Sequence, residues 1–446
     1  MSADIDAIAS ALREHLPADQ VLTEPSAVAA ASLLWNARVS AVPAVVARCR
    51  TTADVQAAVR AARSAGLPLS VRGGGHDWAG SAIRDGGLLI DLSPMRQVTV
   101  DGAEARVAGG ATVSDVLDAA RPHGYAAAVG TVGSVGFTGL TLGGGYGTLI
   151  GLIGLGVDNL LSAEVVLADG RVVTADPAHE PDLFWGLRGG GGNFGVVTGM
   201  RTRLHPHATV TTGMLAFGWD QARSVLEGWR DLMASADDAL DVMFGALHTP
   251  AGLVLFTAPT WAGDPADAAK AIAGVRALGK SVMEDVGERA LADAVHAMDE
   301  LFPRGRNYHL ASRSLTGLTD AAIDAFLASA DVMPTTCALN VHHSHGAATR
   351  VAATETAYPY RDEHLVVEIL GSWTDADGDG AAESAWVRDT AGLLDTQALP
   401  GGWANLMARD DERAPDAYGI NTDRLMAVKA HYDPDGLFSA IPLRSR

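Results

Sequence analysis

A histidine that follows three consecutive glycines has the most distinctive setting for chemistry in this chain. His76 closes the run Arg72-Gly73-Gly74-Gly75, which comes at the end of a predicted strand over residues 67–72. Glycines carry no Cβ, so the backbone of such a loop can approach a bound molecule closely. A neutral imidazole there is a nucleophile, and it could form a bond to an electrophilic cofactor that the loop holds.

Two further glycine-dense segments lie in the first half of the chain, at Gly143–Gly147 and Gly189–Gly195. Successive free backbone N–H groups in such segments form concave sites for anions. Three clusters together indicate a long ligand with a diphosphate, although tight turns would account for any single cluster. The chain has only three lysines, Lys270, Lys280 and Lys429, so backbone amides and a few arginines would have to hold such an anion.

The glycines do not match the two common nucleotide-binding motifs. Gly190, Gly192 and Gly195 have the G-x-G-x-x-G spacing, but they follow a predicted helix at 182–188 and precede a predicted strand. A Rossmann turn requires the opposite order, a strand followed by a helix. The chain also contains no G-x-x-x-x-G-K-[ST] phosphate loop. The sequence therefore argues against both of these folds.

Two short segments begin like metal-binding sequences without completing one. The segment HHSH at 342–345 would place only two histidines on one face of a strand, with no clear third ligand. The run D-x-D-x-D-G at 375–380 opens like a calcium loop, but its twelfth position is Trp386 instead of the required glutamate. We therefore predict no metal site, and we expect the histidines to line a pocket or to be hydrogen-bonded.

The composition of the 446 residues, 48% hydrophobic and 19% charged, favours a globular protein. The net charge of −20 would repel nucleic acids and anionic membranes, so neither is an expected partner. No segment is long and apolar enough to span a membrane, and the N-terminus lacks the pattern of a signal peptide. The two cysteines, Cys49 and Cys337, fit a reducing compartment. We therefore expect a cytoplasmic protein.

The hydrophobic pattern predicts an α+β protein with two domains, at 1–205 and 206–400, and a C-terminal return to the first domain at 401–446. A strand–helix–strand unit opens the first domain. The pattern in the second domain predicts helices at 219–235, 264–278, 287–299 and 319–330. Strands are predicted there at 210–217, 240–248, 252–258, 335–343 and 364–373. This alternation suggests an antiparallel sheet covered by helices.

The loop from Val71 to Gly80 closely resembles the flavin-attachment loop of FAD-linked oxidases. These form the berberine-bridge-enzyme-like group, which has the vanillyl alcohol oxidase/p-cresol methylhydroxylase fold. Bacterial members similar to 6-hydroxy-D-nicotine oxidase are nearest in pattern. The middle of the chain matches weakly, at 357–361 and Trp373. Supporting segments occur in the same order as in the family, at Trp35-Asn36, Pro43–Cys49, Gly130–Gly147, Asp182–Val197, Tyr418–Asn421 and Tyr432–Pro434.

The resemblance implies that His76 is bonded to the 8α-methyl group of FAD. Many members add a cysteinyl bond, but the corresponding position here is Val132, so the resemblance implies a single covalent link. The residues that it assigns to FAD binding are Arg72, Gly73, Gly74, Gly75, His76, Gly80, Gly133, Ser134, Val135, Gly136, Thr138, Gly139, Gly143, Gly144, Gly192, Asn193, Gly195, Val196, Val197, Tyr418 and Asn421.

Three side chains are candidates for catalysis. Glu368 lies among apolar residues of the predicted strand 364–373, where burial would make its carboxylate a stronger base. It also falls at the position of the family's catalytic glutamate. Tyr418, a phenol expected near the flavin, and His343 are the other two candidates.

The resemblance implies an FAD-dependent oxidase that removes a hydride from a small or medium organic molecule and reduces O2 to hydrogen peroxide. Val135 falls beside the family's flavin C4a position, where a small side chain favours reaction with O2. The Arg-rich, Lys-poor composition suggests a bacterial secondary metabolite as the substrate. Two alternatives stay open, a carbohydrate or oligosaccharide oxidase and a flavoprotein that binds and sequesters a drug-like compound. The protein could be a monomer or a homodimer.

Overall fold

A small sheet at the start of the chain carries the His76 loop. The computed structural model describes residues 2–408, 411–441 and 443. The first sheet has the order β1-β2-β4-β3, in which β2, β4 and β3 are parallel. Its strands are β1 (Val21–Leu22), β2 (Val45–Arg48), β3 (Leu69–Arg72) and β4 (Leu88–Asp91). Its helices are α1 (Ser2–Arg13), α2 (Pro25–Ala31) and α3 (Thr52–Ala65).

Helix α3 shows how closely local sequence sets the ends of these elements. The Thr51 hydroxyl accepts a hydrogen bond from the backbone of Asp54, whose carboxylate in turn accepts one from the backbone of Thr51. Gly66 ends the helix in the left-handed region, at φ 62°. The helix belongs to the strand–helix–strand unit that the sequence predicts at the start of the first domain. The next strand is β3, and the Gly73–Gly75 run begins directly after it.

The second sheet is antiparallel and is built from residues 98–205, a range that includes the glycine-dense segments Gly143–Gly147 and Gly189–Gly195. Its order is β5-β6-β10-β8-β9, and a short strand, β7, also pairs with β10. The strands are β5 (Val98–Asp101), β6 (Glu104–Ala108), β7 (Ala126–Ala127), β8 (Leu160–Val166), β9 (Val172–Ala175) and β10 (Val196–His205). The helices are α4 (Val113–Ala120), α5 (Phe137–Leu142), α6 (Ile150–Ile153), α7 (Gly156–Asn159) and α8 (Pro181–Leu187).

The third sheet has seven antiparallel strands in the order β14-β11-β13-β12-β16-β17-β15. They are β11 (Thr209–Gly218), β12 (Leu240–Thr249), β13 (Gly252–Trp261), β14 (Ser281–Ala290), β15 (Asn307–Leu315), β16 (Ala338–Ser344) and β17 (His364–Trp373). Helices in this part are α9 (Ala222–Met233), α10 (Ala268–Arg276), α11 (Leu291–Leu301), α12 (Asp320–Asp331) and α13 (Ala381–Leu394). The predicted α+β class is confirmed. The domain boundaries at 205 and 400 stay predictions.

Two strands and a helix of this region were not predicted from the sequence. The predicted helix at 287–299 begins only at Leu291, because residues 281–290 form the edge strand β14. Most side chains of β14 are exposed or half-buried, so the strand lacks the alternating apolar pattern that marks a strand with one buried face. Strand β15 and helix α13 were also missed.

The two faces of the third sheet have different partners. Phe244, Val341 and Val367 lie in a hydrophobic core under the helices. Side chains alternate along a strand, so the neighbouring residues point to the opposite face. That open face looks toward the His76 loop, and it carries Met243, His342 and Glu368.

The end of the chain crosses both halves of the molecule. Helix α14 (Thr422–Tyr432) places Leu425 and Val428 in the core around the second sheet. Before it, the backbone N–H of Leu399 donates to Ser314 of the third sheet, and Asn405 donates to the carbonyl of Gly139. Within the described ranges, helices are too short or too polar to cross a membrane.

A buried asparagine joins the first sheet to the third. The amide of Asn36 donates to the carbonyls of Trp78 and Tyr308, at 2.7 and 3.0 Å. Its carbonyl oxygen accepts from the backbone N–H groups of Tyr308 and Arg38, at 2.9 and 3.1 Å. One side chain therefore satisfies backbone groups that come from three separate segments.

Replacement of this asparagine should destabilise the protein. Asn36→Ala leaves these backbone groups without their partner, and we expect the free energy of unfolding to fall by about 3 kcal/mol. Asn307→Ala is the matched control, because the Asn307 amide donates to the exposed Asp375, at 3.0 Å, instead of to buried backbone. Thermal unfolding followed by circular dichroism would compare the two. Equal midpoints would contradict the role of Asn36.

Candidate active site

A cavity of about 410 Å³ lies between the glycine loops and the open face of the third sheet. Segments 69–82, 130–146 and 191–197 supply one side of its lining. Residues 403–407 and 438–441, from the end of the chain, also contribute. The sheet side consists of Met243, Leu310, Asn340, His342, Glu368 and Leu370. The three glycine-dense segments of the sequence therefore meet at one cavity.

The imidazole of His76 lines this cavity in a defined orientation. Its ring stacks on Trp35, with centroids 4.4 Å apart and planes at 18°. The Nε2 atom is buried and has no hydrogen-bond partner within the described part of the chain. Burial and, next, the positive charge of Arg304 lower the pKa of His76 to about 4. The side chain is therefore neutral and nucleophilic near neutral pH.

The glycine loops touch one another through their backbones. A Cβ at Gly136 would lie 2.6 Å from the backbone nitrogen of Gly74, so neither position has room for a side chain. A Cβ at Gly195 would lie 2.6 Å from Val165 of strand β8. At Gly139, by contrast, no described atom would lie within 4 Å of a Cβ. The loops form a narrow backbone cradle that is open toward the cavity, a shape suited to a dinucleotide.

Glu368 lies at the centre of a polar cluster on the sheet side. It accepts a hydrogen bond from the Tyr146 hydroxyl, and its other oxygen lies 3.4 Å from the Asn340 amide and 3.6 Å from His342 Nε2. Asn340 pairs with Glu368 across strands β16 and β17, which puts both side chains on the same face. The Glu368 side chain is 19% exposed, and it lines the cavity.

The partners of Glu368 keep its carboxylate ionised. Burial alone would raise its pKa, but hydrogen bonding to His342, followed by Tyr146 and Asn340, outweighs burial and holds the pKa below its ordinary value. Burial and, next, the charge of Glu368 raise the pKa of Tyr146 well above its ordinary range. The expectation that burial makes Glu368 a stronger base is therefore corrected, because three partners offset the effect of burial.

Many of the predicted FAD contacts line the cavity, and the rest do not. Those that line it are Gly73, Gly74, Gly75, His76, Val135, Gly136, Thr138, Gly139, Gly192, Gly195, Val196 and Val197. Those outside the lining, as the described residues define it, are Arg72, Gly80, Gly133, Ser134, Gly143, Gly144, Asn193, Tyr418 and Asn421.

Residues of this second group hold the loops in place instead. Arg72 forms an ion pair of 2.9 Å with the fully buried Asp91. The backbone N–H of Ser134 donates to Asp299, at 2.9 Å. The side chain of Asn193 accepts from the backbone N–H of Ala440, at 2.9 Å, and so fixes the end of the chain.

The four remaining glycines owe their identity to close packing. A Cβ at Gly80 would crowd Val39, and one at Gly133 would crowd Ser114. A Cβ at Gly143 would overlap Asn405, and one at Gly144 would overlap Trp403. These positions therefore let neighbouring segments approach without themselves facing the cavity.

Tyr418, Asn421 and His343 are not brought to the cavity. Tyr418 is buried in the core around the second sheet, and Asn421 donates to the carbonyls of Ala353 and Thr356, at 2.7 and 3.0 Å. His343 points to the opposite face of β16 from His342, and its Nε2 lies 2.8 Å from Glu363. The predicted catalytic roles of Tyr418 and His343 are thus corrected, and Asn421 braces the tail.

Three partners of Glu368, namely Tyr146, Asn340 and His342, were not assigned to the site from the sequence, although the histidines at 342–345 were expected to line a pocket or to be hydrogen-bonded, and His342 does line the cavity. Tyr146 lies inside the glycine segment 143–147, where its phenol interrupts the glycines and could have been noticed. Strand periodicity could have found the other two, since residues 340 and 342 share a face with each other. Which face meets the cavity depends on the pairing with β17.

Comparisons with protein families and with known sequences also indicate a cofactor-binding site in this part of the chain. A family model described as FAD binding domain matches residues 43–176, and one described as berberine and berberine like matches residues 400–441. The FAD-linked oxidoreductase YgaK of Bacillus subtilis is 30% identical over 420 residues, which cover 90% of this chain and 92% of that protein. The cradle and the unpartnered imidazole fit FAD, so the fold and site define a flavin-dependent oxidoreductase.

Comparison with solved structures leads to the same class of protein. The structure of 6-hydroxy-D-nicotine oxidase from Arthrobacter nicotinovorans has a TM-score of 0.85 and 27% identity, covering 94% of this chain and 96% of that one. Glucooligosaccharide oxidase from Acremonium strictum has a TM-score of 0.83 and 26% identity, covering 96% and 98%. The chain belongs to the berberine bridge enzyme-like family of FAD-linked oxidoreductases. The predicted p-cresol methylhydroxylase-type fold is confirmed.

The contact between Gly74 and Gly136 should be essential for holding FAD. Gly74→Ala forces the two loops apart, and we expect it to destabilise the protein by about 3 kcal/mol and to lower its flavin content severalfold. Gly392→Ala is the control, because it lies within α13 with no described atom within 4 Å of a Cβ, and it should stabilise the helix by about 1 kcal/mol. Flavin absorbance per protein after purification is the measurement. Full flavin content in the Gly74 variant would disprove the cradle.

Proposed function

We propose that the protein carries its FAD on one covalent bond, to His76. The observation that supports this most directly is the buried, neutral imidazole at the cavity, whose Nε2 has no partner within the described residues. The glucooligosaccharide oxidase of Acremonium strictum carries a 6-S-cysteinyl, 8α-N1-histidyl FAD. Here Val132 lines the cavity where the family resemblance puts the second attachment, and a valine cannot form a thioether.

We further propose that Glu368 is the base of the reaction. Bound FAD supplies the hydride acceptor and returns the electrons to O2. The carboxylate of Glu368 takes the proton of the substrate O–H or N–H group as the hydride leaves the adjacent carbon. Tyr146 keeps its own proton, because its pKa is high, and so it donates a hydrogen bond that orients the carboxylate. His342 and Asn340 hold the other oxygen.

Val135 supports O2 as the electron acceptor. It lines the cavity directly beside the Gly74–Gly136 contact, and a valine leaves room for a small molecule to reach the flavin there. The product of O2 reduction would be hydrogen peroxide. The proposed substrate is a small or medium organic molecule. The Arg-rich, Lys-poor composition of the chain favours a bacterial secondary metabolite. The two cysteines and the lack of a signal-peptide pattern support a cytoplasmic location, and the oligomeric state, monomer or homodimer, stays open.

Attachment through His76 predicts a flavin that survives denaturation. After acid precipitation the wild-type pellet should remain yellow, and mass spectrometry should find the FAD adduct on the peptide that contains residue 76. His76→Ala should release all flavin to the supernatant, because no imidazole remains to form the bond. His179→Ala, which changes an exposed histidine paired with Asp176, should keep the adduct. An adduct on any other peptide would overturn the assignment.

The role of Glu368 predicts a large loss of rate without loss of flavin. Glu368→Gln removes the base, and substrate-driven flavin reduction in a stopped-flow experiment should slow by about 100-fold or more. Glu363→Gln is the matched control, since Glu363 is 63% exposed and bonds His343 outside the cavity. Tyr146→Phe removes a hydrogen bond that lowers the pKa of Glu368, so the acid limb of the rate should move to higher pH. An unaltered rate in Glu368→Gln would remove Glu368 as the base.

A further inference from the structure

The wall of the cavity beside Glu368 is apolar. Trp35, Tyr308, Leu310 and Leu370 form one buried hydrophobic cluster, and Trp78, Phe302 and Leu406 pack against it. Leu310 and Leu370 pair across strands β15 and β17, two residues from Glu368 on the same face. Met243 of β12 adds a third aliphatic side chain to the sheet side of the lining, and Met298 of α11 lies in the same cavity.

The polar groups on the sheet side all belong to one cluster. Asn340 and His342 lie within 3.6 Å of the same Glu368 oxygen, and Tyr146 bonds the other oxygen. The amide of Asn405 is already bonded to the carbonyl of Gly139, at 3.1 Å. A substrate on this side therefore meets polar groups at one end and apolar groups along the rest of its length.

The formally charged side chains in the described lining of the cavity are all acidic. No lysine or arginine lines it within the part of the chain that the structure describes, and its two carboxylates are Asp77 and Glu368. The carboxylate of Asp77 accepts from the backbone N–H groups of Ala79 and Ala82, at 3.2 and 2.6 Å. The chain as a whole carries a net charge of −20. Arg304, whose charge acts on His76, bonds the carbonyl of Gly74 from outside this lining. An anionic substrate would therefore meet no cationic side chain on the described lining, and its desolvation would be poorly compensated.

We infer that the substrate is a largely apolar alcohol or amine, neutral or cationic, selected by Met243, Leu310 and Leu370. This rests on the proposed function, because it assumes that Glu368 receives the proton of the O–H or N–H group. Oxidation removes that proton and a hydride from the adjacent carbon, and O2 takes both electrons and two protons as hydrogen peroxide. The remainder of the molecule packs on the apolar wall. A sugar would bury several hydroxyls against Leu310 and Leu370 without partners, which weakens binding.

Matched probes with one shared skeleton test this inference. Naphthalenemethanol, naphthalenemethylamine and naphthoate differ only in the group that would meet Glu368, and cellobiose tests a carbohydrate. Isothermal titration calorimetry of the purified protein gives their dissociation constants. We expect the alcohol and the amine to bind at least tenfold more tightly than naphthoate and cellobiose. Hydrogen peroxide release on adding the alcohol or the amine would follow the same order.

A substitution that changes the polarity of a side chain but keeps its length tests the apolar wall. Met243→Gln places an amide on the sheet side of the cavity, and the dissociation constant of naphthalenemethanol should rise about tenfold. Met243→Leu keeps the position apolar, and the protein should still prefer naphthalenemethanol to cellobiose. A Gln variant that binds the alcohol as tightly as the wild type would contradict the selecting role of this wall.

The outcomes separate this inference from the proposed function. Binding of naphthoate or cellobiose as tight as that of the alcohol would overturn the substrate class, and so would a lack of measurable binding of both alcohol and amine. The constants are measured on protein whose flavin absorbance shows a full complement of FAD, whether or not a bond to His76 has formed. A protein with loosely bound FAD that follows the expected order would therefore overturn the covalent attachment alone.

Discussion

The stack of three rings, His76 on Trp35 and Trp35 on Tyr308, is the contact on which the site depends. The Trp35 and Tyr308 rings are nearly parallel, at 10°, with centroids 3.6 Å apart, and Asn36 bonds the backbone of Tyr308 on both sides. The imidazole comes from the loop after the first sheet, and Tyr308 comes from β15 of the third. The stack therefore sets how far His76 lies from the sheet face that carries Glu368.

An ionised carboxylate beside an apolar wall needs partners, and these come from both halves of the molecule. Tyr146 belongs to a glycine-dense loop near the second sheet, whereas Asn340 and His342 belong to strand β16. Besides the hydrogen bond from Tyr146 to Glu368, an ion pair links the halves, because Arg361 makes two hydrogen bonds of 2.8 Å to Asp158. Charged hydrogen bonds of this fork geometry restrict orientation as well as distance. The relative position of loop and sheet is thus fixed at two places.

The sequence predicted the loops better than the distances between them. The strand–helix–strand opening, which contains helix α3, and the His76 loop follow from local residue types, so they were predicted. The contacts of His342 and Asn340 with Glu368 were not, because β16 is buried on both faces and its pattern does not reveal which face meets the cavity. Tyr418 was placed near the flavin from its position in the tail, yet long-range packing sends it into the core. Register and tail packing are decided by contacts distant in sequence, and a single chain does not display them.

Residues that follow helix α14 form part of the site, and this has a consequence for biosynthesis. Residues 438–441 line the cavity, and Asn193 accepts hydrogen bonds from the backbone of Ala440 and Ile441. These residues are synthesised after every other segment that lines the cavity, so the amino-terminal half emerges with its cofactor crevice still missing one wall. Capture of the dinucleotide in its final form must then follow the synthesis of residues 438–441, and a change that displaces this segment would act on cofactor loading.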